Sequence, residues 1–226
     1  RSSDLPYRRR RFVRGRRNYK LYSGPYASIV PQQKRIFTRM TYTDHLDIVL
    51  TAATSAFDKY NMNSIYDPYA GTGGHQPLGM AQLEQLWNEY YVYGCSVSLS
   101  FFKGAATAGI GWVHAYVNDD GADPGSLLWT TLHEKAGVRT KRILPFSMPQ
   151  SHQRMRFYVK TKRYIRSKED INRLIAVMGA DPTHKIQLWI GASSFDGNVV
   201  TETIDVRVKL KYYCVLTHPH QNLLGS

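Results

Sequence analysis

Apolar residues recur at every second position through most of this chain. Residues 90–102 show it most clearly, with Val97, Leu99 and Phe101 separated by single polar residues. That period is the period of a strand with one buried face. Residues 35–43, 46–51, 110–117, 137–144, 154–164, 185–192 and 201–216 read the same way. About eight strands separated by Gly, Pro and Asp predict a sandwich or barrel, not a parallel α/β sheet. Asn118-Asp119-Asp120-Gly121 is one such turn signal; its acids are turn formers. Two segments change to helical spacing. Residues 80–89 place Leu83, Leu86 and Trp87 on one face. In residues 167–178, Ser167 is the N-cap, Glu169 and Asp170 fill the first turn, and Ile171, Leu174, Ile175 and Met178 follow, with Gly179 as the stop.

The alternation also sorts charge. In residues 154–164 one face carries Arg154, Arg156, Tyr158, Lys160, Lys162 and Tyr164; the other carries Met155, Phe157, Val159 and Thr161. The final strand sets Val206, Val208, Leu210 and Tyr212 against Arg207, Lys209, Lys211 and Tyr213. Arg139 and Lys141 alternate with Val138 and Thr140 in a third strand. An ordinary solvated sheet mixes the two signs of charge. These faces carry no interspersed Asp or Glu, which points to a polyanionic partner.

Net charge is +13 over 226 residues, and it is unevenly spread. Residues 1–20 hold Arg1, Arg8, Arg9, Arg10, Arg11, Arg14, Arg16, Arg17 and Lys20 against one acid, Asp4. A block of like charge repels itself and suits an extended arm on a polyanion. Arginine in particular meets phosphate through two parallel hydrogen bonds and stacks on bases. The arm, residues 1–33, continues through Tyr22, Gly24, Pro25 and Tyr26 to Pro31. Its aromatics suit base stacking or an extended path over the body. Residues 34–216 form the expected shell domain and 217–226 a C-terminal tail.

Enzyme signatures are missing. There is no GxSxG or HExxH. Gly71-Thr72-Gly73-Gly74-His75 lacks the Lys-Ser/Thr of a phosphate loop. His218-Pro219-His220 has no carboxylate near it in sequence, and the 17 acids form no close pair at a strand end. Cys95 and Cys214 have neither zinc-like nor redox spacing and read as two buried thiols. No cofactor, metal site or catalytic residue is therefore expected. No apolar run approaches the ~18 residues of a membrane span, so no membrane insertion is expected.

In order along the chain, several stretches resemble the capsid proteins of circoviruses and related circular, Rep-encoding single-stranded DNA viruses. They are the arginine-rich arm at 8–17; Tyr66-Asp67-Pro68-Tyr69; Gly73-Gly74-His75-Gln76-Pro77; and Trp87-Asn88-Glu89-Tyr90-Tyr91-Val92-Tyr93-Gly94. Gln187-Leu188-Trp189-Ile190 and the run 206–213 resemble that family's last two strands. The helical segment 167–178 departs from the pattern. The resemblance implies an eight-stranded jelly roll whose copies build a T=1 icosahedral shell around single-stranded DNA. It also implies nuclear import through Arg8, Arg9, Arg10, Arg11, Arg14, Arg16 and Arg17, and contacts with host import and surface receptors. The expected DNA-binding residues are those seven, Lys20, and the sheet positions Arg154, Arg156, Lys160, Arg207, Lys209 and Lys211. Competing readings are a non-capsid single-stranded nucleic-acid-binding β module and a jelly-roll enzyme or lectin. Deleting residues 1–20 should leave the fold intact and lower DNA affinity. The salt slope should become shallower by about 0.7 for each phosphate no longer neutralised; an unchanged slope would remove the arm from the binding account.

Overall fold

The computed structural model describes residues 35–50, 55–103, 111–124, 129–144, 151–165, 169–194 and 202–220. The strands are β1 (Arg35–Leu50), β2 (Ala56–Asn61), β3 (Trp87–Lys103), β4 (Gly111–Asn118), β5 (Arg139–Ile143), β6 (His152–Lys160), β7 (Ile175–Val177), β8 (Gln187–Ser194) and β9 (Glu202–Pro219). One sheet has the order β1-β9-β3-β6, with β7 also pairing with β3; the other has the order β2-β8-β4-β5. All described pairings are antiparallel. The first and last strands are neighbours, and successive strands mostly cross between the sheets. Two interlocked Greek keys of this kind make a jelly roll, as the sequence predicts.

The core lies between the sheets. From the first sheet come Met40, Val97, Leu99, Val208 and Leu210; from the second come Val113, Leu188 and Ile190. Buried tyrosines add polar ties across the gap. Tyr60 of β2 donates to Asp44 of β1 at 2.9 Å, and Tyr212 of β9 donates to the Asn61 carbonyl of β2 at 2.7 Å. Cys95 and Cys214 are buried and unbridged; burial pushes the Cys214 thiol up to about 12.

The long strand β3 keeps an apolar inner face only because its phase is reset. Tyr90 and Val92 are buried, and so are Cys95, Val97, Leu99 and Phe101. Val92 and Cys95 are three residues apart, which simple alternation would place on opposite faces. A bulge between Val92 and Gly94 shifts the register against β9. It absorbs one residue, Tyr93, and keeps both halves of the strand in phase.

Several predicted boundaries shift. The two strands expected at 35–43 and 46–51 are one strand, Arg35–Leu50, paired with β9 from Arg35↔Thr217 to Leu50↔Glu202; residue 51 lies outside the described residues. β9 runs on to Pro219, because its end pairs with β3 through Trp87↔Pro219. The same pairing shortens the predicted helix 80–89 to α1, Met80–Glu84. β6 stops at Lys160, and a 3-10 turn takes Thr161–Tyr164, so Lys162 and Tyr164 leave the strand on which they were predicted. β2 is unpredicted, as is the short helix α2, Trp129–Glu134. Residues 169–178 of the expected helix 167–178 are not an α-helix. Ser167 lies outside the described residues; Glu169–Leu174 form a 3-10 helix, and β7 follows. β6 pairs with β3 only over Gly94–Phe102. β7 takes up the open edge at Glu89–Tyr91, satisfying backbone groups that a helix would leave unpaired.

His114 of β4 is fully buried. Its ring nitrogens lie 3.2 Å from Thr140 Oγ1 and 2.7 Å from Ser193 Oγ. Burial, with His133 nearby, lowers it to about 3. Between about 6.5 and 3 the unfolded chain therefore takes up a proton that the folded chain refuses, so stability falls as pH falls through this window. The contribution of this one group is about 1.4 kcal/mol per pH unit. In urea titrations, the stability gap between the wild type and His114→Gln should narrow from pH 7 to pH 4. A gap independent of pH would contradict this assignment.

Candidate nucleic-acid interface

The outer face of the β1-β9-β3-β6 sheet gathers the charges. Residues opposite one another in an antiparallel pair share a face, so the ladders give its rows directly. Arg207 faces His45 on β1 and Ser100 on β3; Ser100 in turn faces Arg154 on β6. In the next row Lys209 faces Ser98, and Ser98 faces Arg156. In the third, Lys211 faces Ser96, and Ser96 faces Tyr158. Arg154, Arg156, Arg207 and Lys209 are exposed, and Lys211 is half-buried. Their neighbours Val206, Val208, Leu210 and Met155 point into the core.

Serine in the middle strand matters as much as the cations beside it. Three short side chains leave a trough between the taller Arg and Lys rows. One groove of about 680 Å³ runs between Ser98, Ser100, Arg154, Arg156, Arg207 and Lys209. A second, of about 340 Å³, continues along Ser96, Arg156 and Lys211. Cations flanking a hydroxyl-lined floor suit a phosphate backbone, because Arg and Lys supply charge and serine supplies hydrogen bonds. Beside this groove, Arg207 lies over the Phe102 ring at 5.3 Å, and Phe102 stacks on His152 at 4.5 Å and 4°.

All six sheet residues named from the sequence lie on this face, with Lys160 in the row of Gly94 and Tyr213. Arg139 and Lys141 do not belong to it. β5 is in the other sheet, where Arg139 and Lys141 share the core-side face with Ala115 and Val113. They close the seam between the sheets instead. Arg139 lies over Phe157 at 4.6 Å, and Lys141 donates to the Arg154 carbonyl at 2.8 Å. The arm residues Arg8, Arg9, Arg10, Arg11, Arg14, Arg16, Arg17 and Lys20 lie outside the described residues.

The chain resembles in fold the structure of a nodavirus of the giant freshwater prawn. Its superposition on the structure of the Macrobrachium rosenbergii nodavirus has a TM-score of 0.51 at 12% identity, covering 97% of this chain and 59% of that one. A decameric BFDV capsid protein gives 0.49 at 11% identity, covering 81% of this chain and 99% of that one. The mud crab tombus-like virus gives 0.45 at 12% identity over 87% of this chain and 100% of that one. At such identities the likeness speaks for the fold alone. No family model and no curated protein matches the chain.

Three chemical features were missed in the sequence. Asp47 and Asp205 face each other across β1 and β9, a close acid pair that strand pairing alone brings together. Burial raises the Asp205 carboxyl above its ordinary range, and its hydrogen bond to Asp47 raises it further. His45 joins them, with ligand atoms of all three within 4.8 Å of one another. His218 also gains a carboxylate, with its Nδ1 2.9 Å from Glu89 Oε2. Asp47, Asp205 and Glu89 lie towards the ends of the sheet, and Asp44 of β1 lines the larger groove beside Arg207 and Lys209. Among the described residues, no helix is long and apolar enough to cross a membrane.

Replacing Arg207, Lys209 and Lys211 together by Ser should weaken nucleic-acid binding without altering the melting temperature by more than a few degrees. The slope of log affinity against log salt should become shallower by about 2. A variant with the parental slope would show that this row meets no phosphate.

Proposed function

We propose that this chain is the coat protein of a small virus. Its copies assemble into an icosahedral shell, T=1 in the resembling family, and package a single-stranded DNA genome. The arm and the outer face of the β1-β9-β3-β6 sheet line the interior. One observation carries the reading: within a jelly roll, the cations of β6 and β9 share one face around the serine floor of β3, while the opposite face of these strands is apolar and buried in the core. A structural role follows, without catalysis. The genome type rests on the circovirus-like stretches of sequence. The arm arginines Arg8 to Arg17 also suit nuclear import, giving a life cycle in the host nucleus and the virion. Loops at the ends of the sandwich are free to contact neighbouring copies and host receptors.

Purified full-length chain examined by size-exclusion chromatography and negative-stain electron microscopy should give uniform particles. Their nucleic acid should resist added nuclease until the particle is opened, and then yield to DNase. A chain that stays monomeric at high concentration yet binds single strands would support the non-capsid binding module instead. Nucleic acid sensitive only to RNase would overturn the genome assignment.

A further inference from the structure

The outer face of the β1-β9-β3-β6 sheet changes character partway along its strands. Moving along β9, Arg207, Lys209 and Lys211 give way to Tyr213; on β6, Arg154 and Arg156 give way to Tyr158; on β3, the serines give way to Tyr93 and Tyr91. Phe37 completes the change on β1, opposite Val215. The rings meet one another: Phe37 to Tyr93 at 6.4 Å, Tyr93 to Tyr213 at 6.1 Å, and Tyr158 to Tyr213 at 5.8 Å. Phe37, Tyr93 and Tyr158 line a bay of about 670 Å³ together with Ile171, Ile175, Arg35 and Lys160, within the ~300–1,000 Å³ range of small-ligand sites.

The backbone shapes this bay. The bulge that resets β3 occurs at Tyr93, and a bulge re-aims the side chain it carries. Gly94 follows it, and any Cβ there would collide with the Tyr158 ring. Glycine is therefore what lets that ring lie across β3. Phe37 remains 64% exposed and Tyr158 44% exposed, so aromatic surface stays open on a face whose other positions are mainly polar and charged.

We propose that this bay holds unpaired bases, stacked on Tyr93, Tyr158 and Phe37, of a single strand whose phosphates run along the Arg/Lys rows. The inference rests on the reading of this face as the nucleic-acid surface and adds selectivity for single strands. Three observations favour a nucleic-acid strand as occupant. The cation rows lead directly into the bay; Arg35 and Lys160 supply positive charge at the bay itself; and alternate cations on one strand are ~6.7 Å apart, on the order of one extended nucleotide. Aromatic faces accept any base, whereas a duplex keeps its bases stacked on one another.

The test compares the full chain with Tyr93→Leu/Tyr158→Leu, using oligothymidylate, an abasic oligomer of equal length, and duplex DNA. The parental chain should bind oligothymidylate at least tenfold more tightly than the abasic oligomer. The variant should lose most of that preference while keeping its abasic affinity and salt slope. Tyr158→Phe should retain the preference, since the ring is kept. Photocrosslinking with 4-thiothymidine oligomers, read by mass spectrometry, should place adducts on the β3 and β6 tyrosines, and this readout does not depend on a variant folding. Equal parental binding of base-bearing and abasic strands would overturn the inference and leave the coat-protein reading standing. So would crosslinks confined to the arm, or a bay found filled by the arm's own aromatics or by a second copy. A parental chain that binds no strand at all would defeat both.

Discussion

The antiparallel ladders that β9 makes with β1 on one side and β3 on the other set the phase of the whole sheet. β9 is paired with β1 from Glu202 to Thr217 and with β3 over nearly the same span. Every second residue of β9 enters the core, from Ile204 to Leu216. A slip of one residue would bury Arg207 and Lys209 and expose Val206 and Val208, at the cost of desolvating two charges. The apolar core and the cationic surface are therefore one feature seen from two sides. Burying the first displays the second.

The bulge at Tyr93 matters for the same reason. A 17-residue strand that pairs with three partners cannot easily remain in phase with all of them. One extra residue reconciles its two halves. It also divides the outer face into a cationic trough floored by serine and an aromatic bay. Fold and surface chemistry are thus joined at a single backbone irregularity in the centre of the sheet.

Much of this was legible in the sequence because strand alternation is local. The inward and outward sets of β6 and β9 could be read directly, and so could the turn at Asp119-Asp120-Gly121, where Asp120 accepts from the Ala122 N–H at 2.9 Å. Features set by pairing could not be read. β2 escaped notice because its core-side position Asp58 is polar, its carboxylate accepting from Tyr69 at 3.0 Å. The segment before Met178 has helical spacing, yet the vacant edge of β3 draws its end into a strand. Sheet membership was hidden as well. Arg139 and Lys141 alternate just as the β9 cations do, but β5 belongs to the opposite sheet, and they serve the seam.

The cation-and-serine face of the β1-β9-β3-β6 sheet is proposed to meet the packaged strand. A cryo-EM map of particles assembled from the full chain, with nucleic acid retained, tests that contact directly. This face should point inward, with non-protein density following the row from Arg207 to Lys211. A map in which that face lies on the outer surface, or is covered by a neighbouring copy while nucleic acid contacts other strands, would contradict it.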